Sequence, residues 1–180
     1  MFAHWDSFYL LVGGAAGSLI GLLFIVATLS TGRRDADSAL RGASIYMTPI
    51  VQHLGVVLVI SALAAAPGLS NEGAALILVA GGLASLVSSG RVIWHLQIAK
   101  SLEAPHWSDV WWYGIAAFLA DLALAGSAIA FWLVSPAWAA RGVAVALVAI
   151  LLIAIRNAWD LVTWISAKGT GAPAETADTP

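Results

Sequence analysis

Five long apolar runs, separated by short polar segments, dominate the chain. They cover residues 8–31, 43–67, 73–94, 111–134 and 140–165. Each has the roughly twenty residues that a helix needs to cross about 30 Å of hydrocarbon at about 1.5 Å per residue. The runs are continuous and lack the strict alternation of a membrane β-barrel. The pattern therefore predicts an all-α, polytopic membrane bundle of five transmembrane helices.

Composition assigns the chain to the bilayer and removes several function classes. Hydrophobic residues make up 61% of the sequence and charged residues 10%, which is too apolar for an ordinary soluble domain. A net charge of −2 gives no basis for binding nucleic acid. The absence of cysteine excludes disulfides and thiolate chemistry. We expect one transmembrane domain over residues 1–168 and a disordered cytoplasmic tail over 169–180, which is mostly Ala, Thr, Gly and Pro.

The basic residues predict an orientation for the bundle. Seven of the eight fall on one side of the predicted membrane: Arg33, Arg34, Arg41, Arg91, Lys100, Arg156 and Lys168. Only Arg141 lies on the other side. Because cytoplasmic loops carry an excess of Lys and Arg, this bias places the N-terminus outside and the C-terminus in the cytoplasm.

One acidic residue, Asp121, lies near the middle of the fourth run. A carboxylate in hydrocarbon costs a few kcal/mol or more, so it usually faces a partner, a cavity or water. Counted from the outer ends of their helices, Asp121, His53 and Arg156 each lie roughly 20 Å deep, and Asp160 and Arg91 roughly 28 Å. Gln52 and Asn157 adjoin them in sequence. These positions predict a polar layer in the cytoplasmic half of the bundle.

We interpret this layer first as a proton or ion pathway, the core of a small channel or transporter. In that hypothesis Asp121 and His53 relay protons, Arg156 is the counter-charge of Asp121, and Asp160 is the cytoplasmic exit. Histidine titrates near physiological pH and offers a gate. The alternative is a structural network that fixes helix packing. In that alternative Asp160 simply neutralises Arg156, four residues away, and Arg91 extends its stem to the headgroups.

Small residues at four-residue spacing predict close helix contacts. Helix one carries Gly13, Gly17 and Gly21, a row that lets two backbones approach. Packing within the monomer and a subunit contact both remain open for it. A similar row on helix three is attributed to packing within the monomer; it consists of Gly81, Ser85 and Ser89. The partners that follow are the lipid bilayer and either further copies of the chain or another membrane protein. A non-catalytic membrane subunit or regulator is accordingly the second functional hypothesis.

No cofactor or metal is predicted. Haem with two histidine ligands is disfavoured because His53 and His95 differ by roughly 14 Å in depth. A retinal Schiff base would need a lysine inside a helix, whereas Lys100 and Lys168 lie outside the runs. A metal at His53 and Asp121, with Asp160, lacks supporting local spacing such as H-x-x-x-H. Enzymatic activity is the class that the sequence favours least.

Two stretches carry a resemblance. Residues 21–26, Gly-Leu-Leu-Phe-Ile-Val, precede a basic loop, and Thr48-Pro49 is followed by Gln52-His53. This arrangement resembles small uncharacterised multi-pass proteins of the bacterial inner membrane. The resemblance covers the first two helices and implies residence in that membrane, but it assigns no role to any residue.

Overall fold

The computed structural model describes residues 4–30, 36–99, 108 and 110–169, with side chains described for 4–28, 47–94, 108 and 110–163. The helices are α1 (Asp6–Ser30), α2 (Ala36–Ala64), α3 (Asn71–Ala99), α4 (Ala117–Leu133) and α5 (Pro136–Gly169). A π-helical segment, Val110–Ala116, leads directly into α4. Within the described ranges, five helical spans are long and apolar enough to cross a membrane. The prediction of an all-helical chain with five such spans is confirmed.

The helices extend beyond the apolar runs that predicted them. α2 begins at Ala36, seven residues before its run, and α5 begins at Pro136, four residues early. α3 continues to Ala99, five residues past its apolar run. A helix satisfies its own backbone hydrogen bonds, so it need not end where hydrocarbon ends, and proline is well suited to a first helical position. Residues 100–107 lie outside the described residues, as does the predicted tail over 169–180 apart from Gly169, which ends α5.

The core lies where α5 packs against α4, α2 and α1, with α3 against the other side of α4. Fully buried Leu54, Leu124, Leu147 and Ile150 are at its centre. The outer surface is also apolar, and Leu133 is 78% exposed. Six polar side chains are buried among these apolar ones: His53, Ser61, Ser85, Ser89, Asp121 and Asn157. An apolar exterior, with a few polar groups buried within an apolar core, suits a bundle surrounded by acyl chains.

The glycine row on α1 does not form a uniform contact. A Cβ added at Gly13 would lie 2.8 Å from Ser61 Cβ, so this glycine allows α1 to approach α2. A Cβ at Gly17 would have only Leu58 nearby, at 3.8 Å, and one at Gly21 would meet nothing within 4 Å in the described part of the chain. Gly13 thus serves packing within the monomer, while Gly21 lies on an open surface.

Candidate functional site

Asp121 is the centre of a polar cluster in the bundle interior. It has no exposed surface, and both of its carboxylate oxygens have polar partners. Ser85 Oγ donates to Oδ1 at 2.7 Å, and Ser89 Oγ donates to Oδ2 at 2.5 Å. His53 Nε2 lies 3.1 Å from Oδ2. A single carboxylate therefore joins α2, α3 and α4 at one level.

Gly82 allows the two serines to reach the carboxylate. A Cβ at Gly82 would lie 3.0 Å from both Cα and Cβ of Ala125, so α3 and α4 are nearly in backbone contact one turn from Asp121. Ser85 and Ser89 are four residues apart and share one face of α3. Their short side chains can bridge only a narrow gap between helices. The close approach at Gly82 provides that gap.

The α3 row was attributed to packing within the monomer, and two of its members also form hydrogen bonds there. Ser85 and Ser89 are hydrogen-bond donors to Asp121, and sequence reasoning missed both as site residues. Gly81, the third member, has no neighbour within 4 Å of an added Cβ among the described residues. The signal that could have identified the serines is two hydroxyls at helical spacing within an apolar span, facing a carboxylate that needs donors.

His53 is held in a fixed orientation by its own helix. Its Nδ1 lies 2.8 Å from the carbonyl oxygen of Pro49, one turn earlier on α2. A carbonyl can only accept, so Nδ1 carries a hydrogen. Nε2 is then either an unprotonated acceptor or, in imidazolium, a second donor. The ring orientation thus directs Nε2 at Asp121.

The contact between His53 Nε2 and Asp121 Oδ2 needs one proton to be attractive. Imidazolium with carboxylate has that proton on nitrogen, and imidazole with carboxylic acid has it on oxygen. Both arrangements have zero net charge, which suits a buried site. Without the proton, two lone pairs would face each other at 3.1 Å. The distance therefore suits one proton shared between Nε2 and Oδ2, and Ser89 Oγ, at 3.4 Å from Nε2, contacts both members.

A second bridge between α2 and α3 lies directly beside this cluster. Ser88 Oγ donates to Gln52 Oε1 at 2.5 Å. Because Gln52 precedes His53 and Ser88 precedes Ser89, the two helices are joined by adjacent polar contacts. Gln52 is half-buried. The predicted place of Gln52 beside the polar layer agrees with this geometry.

Arg156 belongs to a separate cluster at the π-helical segment. Its Nη1 donates to Asp160 Oδ2 at 2.6 Å, and its guanidinium lies 4.7 Å from the centre of the Trp112 ring. Asn157 Nδ2 donates to the Trp112 carbonyl at 3.3 Å, and Tyr113 Oη donates to the Asn157 carbonyl at 2.8 Å. These reciprocal bonds fix α5 to the π-helical turn. The predicted pairing of Arg156 with Asp160 is confirmed.

The predicted pairing of Arg156 with Asp121 does not form. Among the described residues the polar contacts of Asp121 are Ser85, Ser89 and His53. Asp121 lies twelve residues before the end of α4, about 18 Å, whereas Arg156 lies twenty residues after the start of α5, about 30 Å. The two residues therefore occupy levels about 12 Å apart.

Arg91 is exposed near the C-terminal end of the third span. The polar contacts of both clusters, within the part of the chain that the structure describes, do not include it. The structure thus divides the predicted layer into two clusters and one peripheral arginine. No family model, curated protein or solved structure matches the chain, so the chemistry of these clusters rests on their geometry.

Proposed function

We propose that this chain is a multi-pass protein of the bacterial inner membrane that conducts protons through its bundle, with the His53–Asp121 pair as the proton-binding element. The distribution of Lys and Arg supports an N-terminus outside and a C-terminus in the cytoplasm. The resemblance of the first two helices to small bacterial inner-membrane proteins supports the location.

The single observation that carries the proposal is the orientation of His53. Because the Pro49 carbonyl engages Nδ1, the one exchangeable proton of the pair lies between Nε2 and Oδ2. Either atom can hold it, and the Ser89 hydroxyl touches both. A hydroxyl both donates and accepts, so it can pass a proton on. Ionisable groups in this setting typically mark proton relays.

The geometry favours protons over larger ions. The carboxylate is fully buried and three side chains surround it. A metal ion would have to displace these donors, whereas a proton needs only hydrogen bonds. Asp160, whose side chain is 40% exposed, is the proposed cytoplasmic exit. Its counter-charge is Arg156, and water must bridge the gap of about 12 Å to Asp121.

Proton flux in vesicles tests the proposal. Purified protein is reconstituted with an entrapped pH-sensitive dye, and a potassium gradient with valinomycin drives proton entry. Asp121→Asn keeps the shape of the side chain but cannot ionise, so flux should fall to the level of protein-free vesicles. Ser18→Ala is the matched control, because Ser18 is exposed and bonds only its own helix, and it should conduct like the unchanged protein. Unchanged flux in a folded Asp121→Asn variant would refute the proposal.

The second candidate is a non-catalytic membrane subunit or regulator in which the cluster is a structural lock. The observation that favours it is the completeness of the cluster: Asp121 is closed off from the surface and ties three helices together. A partner membrane protein or further copies of the chain would then pack on the open side of α1, near Gly17 and Gly21. In the same vesicles this function gives no flux above background, and cysteine cross-linking at Gly21 reports whether copies meet there.

A further inference from the structure

Tryptophan marks both ends of the exposed face of α5. Trp138 and Trp159 are 61% and 70% exposed and lie 21 residues apart. Val145 and Leu152, which lie between them, are exposed as well. These four residues recur every seven positions, so they share one side of the helix. That side is aliphatic in its middle and carries an indole at each end.

The helix that contains Asp121 repeats this spacing. Trp111, in the π-helical segment, and Trp132, near the end of α4, are both exposed and are again 21 residues apart. Because only two residues join α4 to α5, the two helices run antiparallel. Trp132 and Trp138 therefore lie at one end of the bundle, and Trp111 and Trp159 lie at the other.

Each end also carries an arginine against a tryptophan ring. The Arg141 guanidinium lies 5.4 Å from the centre of the Trp138 ring, and the Arg156 guanidinium lies 4.7 Å from that of Trp112. Tryptophan and arginine both anchor helices where hydrocarbon meets the lipid headgroups. A partner helix would instead favour small residues on the face that it contacts. The exposed face of α5 therefore fits a bilayer.

The spacing matches the thickness of a bilayer. A separation of 21 residues corresponds to about 31 Å along a helix, and a tilt of about 20° reduces this to about 30 Å, the usual hydrocarbon thickness. We propose that two tryptophan belts, Trp132 with Trp138 and Trp111 with Trp159, anchor the bundle at the two membrane interfaces and hold Asp121 at the midplane.

The belts also fix the levels of the two polar clusters. Asp121 lies eleven residues from Trp132 and ten from Trp111, about 15 Å from each. Arg156 is only three residues from Trp159, so its pair with Asp160 lies at an interface. This placement differs from a polar layer in the cytoplasmic half of the bundle, and it does not depend on proton conduction.

Spin labels on single cysteines test the depth of each level. The chain has no cysteine, so labelled variants can be reconstituted in vesicles, and collision rates with oxygen and with a water-soluble nickel complex report depth. Val145→Cys and Leu152→Cys are equally far from the two tryptophans of α5, so their labels should lie at equal depth. A label at Leu122→Cys, an exposed position beside Asp121, should lie deepest.

The apolar run over 140–165 makes a different prediction. If its ends were the membrane boundaries, the label at Leu152→Cys would lie at the midplane and the label at Val145→Cys about 10 Å nearer an interface. That result would overturn the proposal.

A second set of variants tests whether the tryptophans act as anchors. Trp138→Leu and Trp159→Leu should each move α5 along the membrane normal, so that one of the two α5 labels becomes deeper and the other shallower, with opposite senses in the two variants. Leu83→Ala, which changes an exposed position in the middle of α3, is the control and should leave both depths unchanged. Label depths that neither tryptophan variant alters would overturn the proposed anchoring.

Discussion

The strength of the His53–Asp121 contact can be measured with a double-mutant cycle. His53→Leu leaves a buried carboxylate with only its two serine donors, and Asp121→Leu leaves a buried imidazole whose Nε2 has only the Ser89 hydroxyl, at 3.4 Å, nearby. The double variant leaves neither, because the serine hydroxyls can return to carbonyls of their own helix. The unfolding free energies lost in the two single variants should therefore add up to more than the loss in the double variant.

The magnitude follows from the distance and the burial. Two unit charges 3.1 Å apart attract by about 5 kcal/mol at an effective dielectric constant of about 20, which is an upper limit before desolvation. Removing one member of a buried ion pair costs about 3–5 kcal/mol in soluble proteins. Polar contacts between membrane helices are worth about 0.6–1.7 kcal/mol, because the unfolded helices find other partners in the membrane. We expect a coupling energy of about 2 kcal/mol, between these ranges.

Unfolding in mixed micelles of increasing SDS fraction measures each corner of the cycle. The nine tryptophans give the fluorescence signal. The matched control replaces Asp121→Leu with Asp160→Leu, because Asp160 belongs to the other cluster, and its coupling with His53→Leu should be within about 0.5 kcal/mol of zero. If the His53 and Asp121 variants are additive within the same limit, the contact carries no energy and the argument for a shared proton fails.

Two further predictions concern helix approach and the separation of the clusters. Gly82→Ala places a methyl group 3.0 Å from the backbone of α4, so the unfolding free energy should fall by about 1–3 kcal/mol. Gly81→Ala is the control, because its added methyl meets no described atom within 4 Å, and it should be neutral or slightly stabilising. Equal effects of the two variants would contradict the close approach of α3 and α4. The effects of Arg156→Gln and Asp121→Asn on the unfolding free energy should be additive within about 0.5 kcal/mol, because the two residues have no contact. A larger coupling energy would restore the predicted role of Arg156 as the counter-charge of Asp121.

Local properties of the sequence were sufficient to predict the five helical spans. The length of an apolar run is set by the thickness of the bilayer, so residues 8–31 and 111–134 predict helices regardless of their neighbours. Depth also brought His53 and Asp121 to a common level before any packing was known. The depth comparison succeeded for this pair because the helix ends were predicted within a few residues. α2 ends at Ala64 and its predicted run at 67, and α4 ends at Leu133 and its predicted run at 134.

The level of Arg156 and the role of the two serines could not be predicted from depth along each helix. The start of α5 was placed at residue 140 rather than Pro136, and four residues of helix amount to about 6 Å, which contributed to placing Arg156 at the level of Asp121. The serines were missed for a different reason. Serine is both a small packing residue and a hydrogen-bond donor, and only the rotation of α3 about its axis, set by the contact of Gly82 with Ala125, decides between these roles.

The geometry of the cluster links its two proposed roles. With the proton present, the His53–Asp121 contact is attractive and holds α2 against α4. When the proton leaves, the fixed Nδ1 hydrogen prevents the imidazole from offering its remaining proton to the carboxylate, so the same contact becomes repulsive at 3.1 Å. The Ser89 hydroxyl can then donate to only one of the two acceptors at a time. In the proposed proton pathway, loss of the proton would therefore loosen the packing of α2 against α3 and α4, and this loosening would serve as the gate.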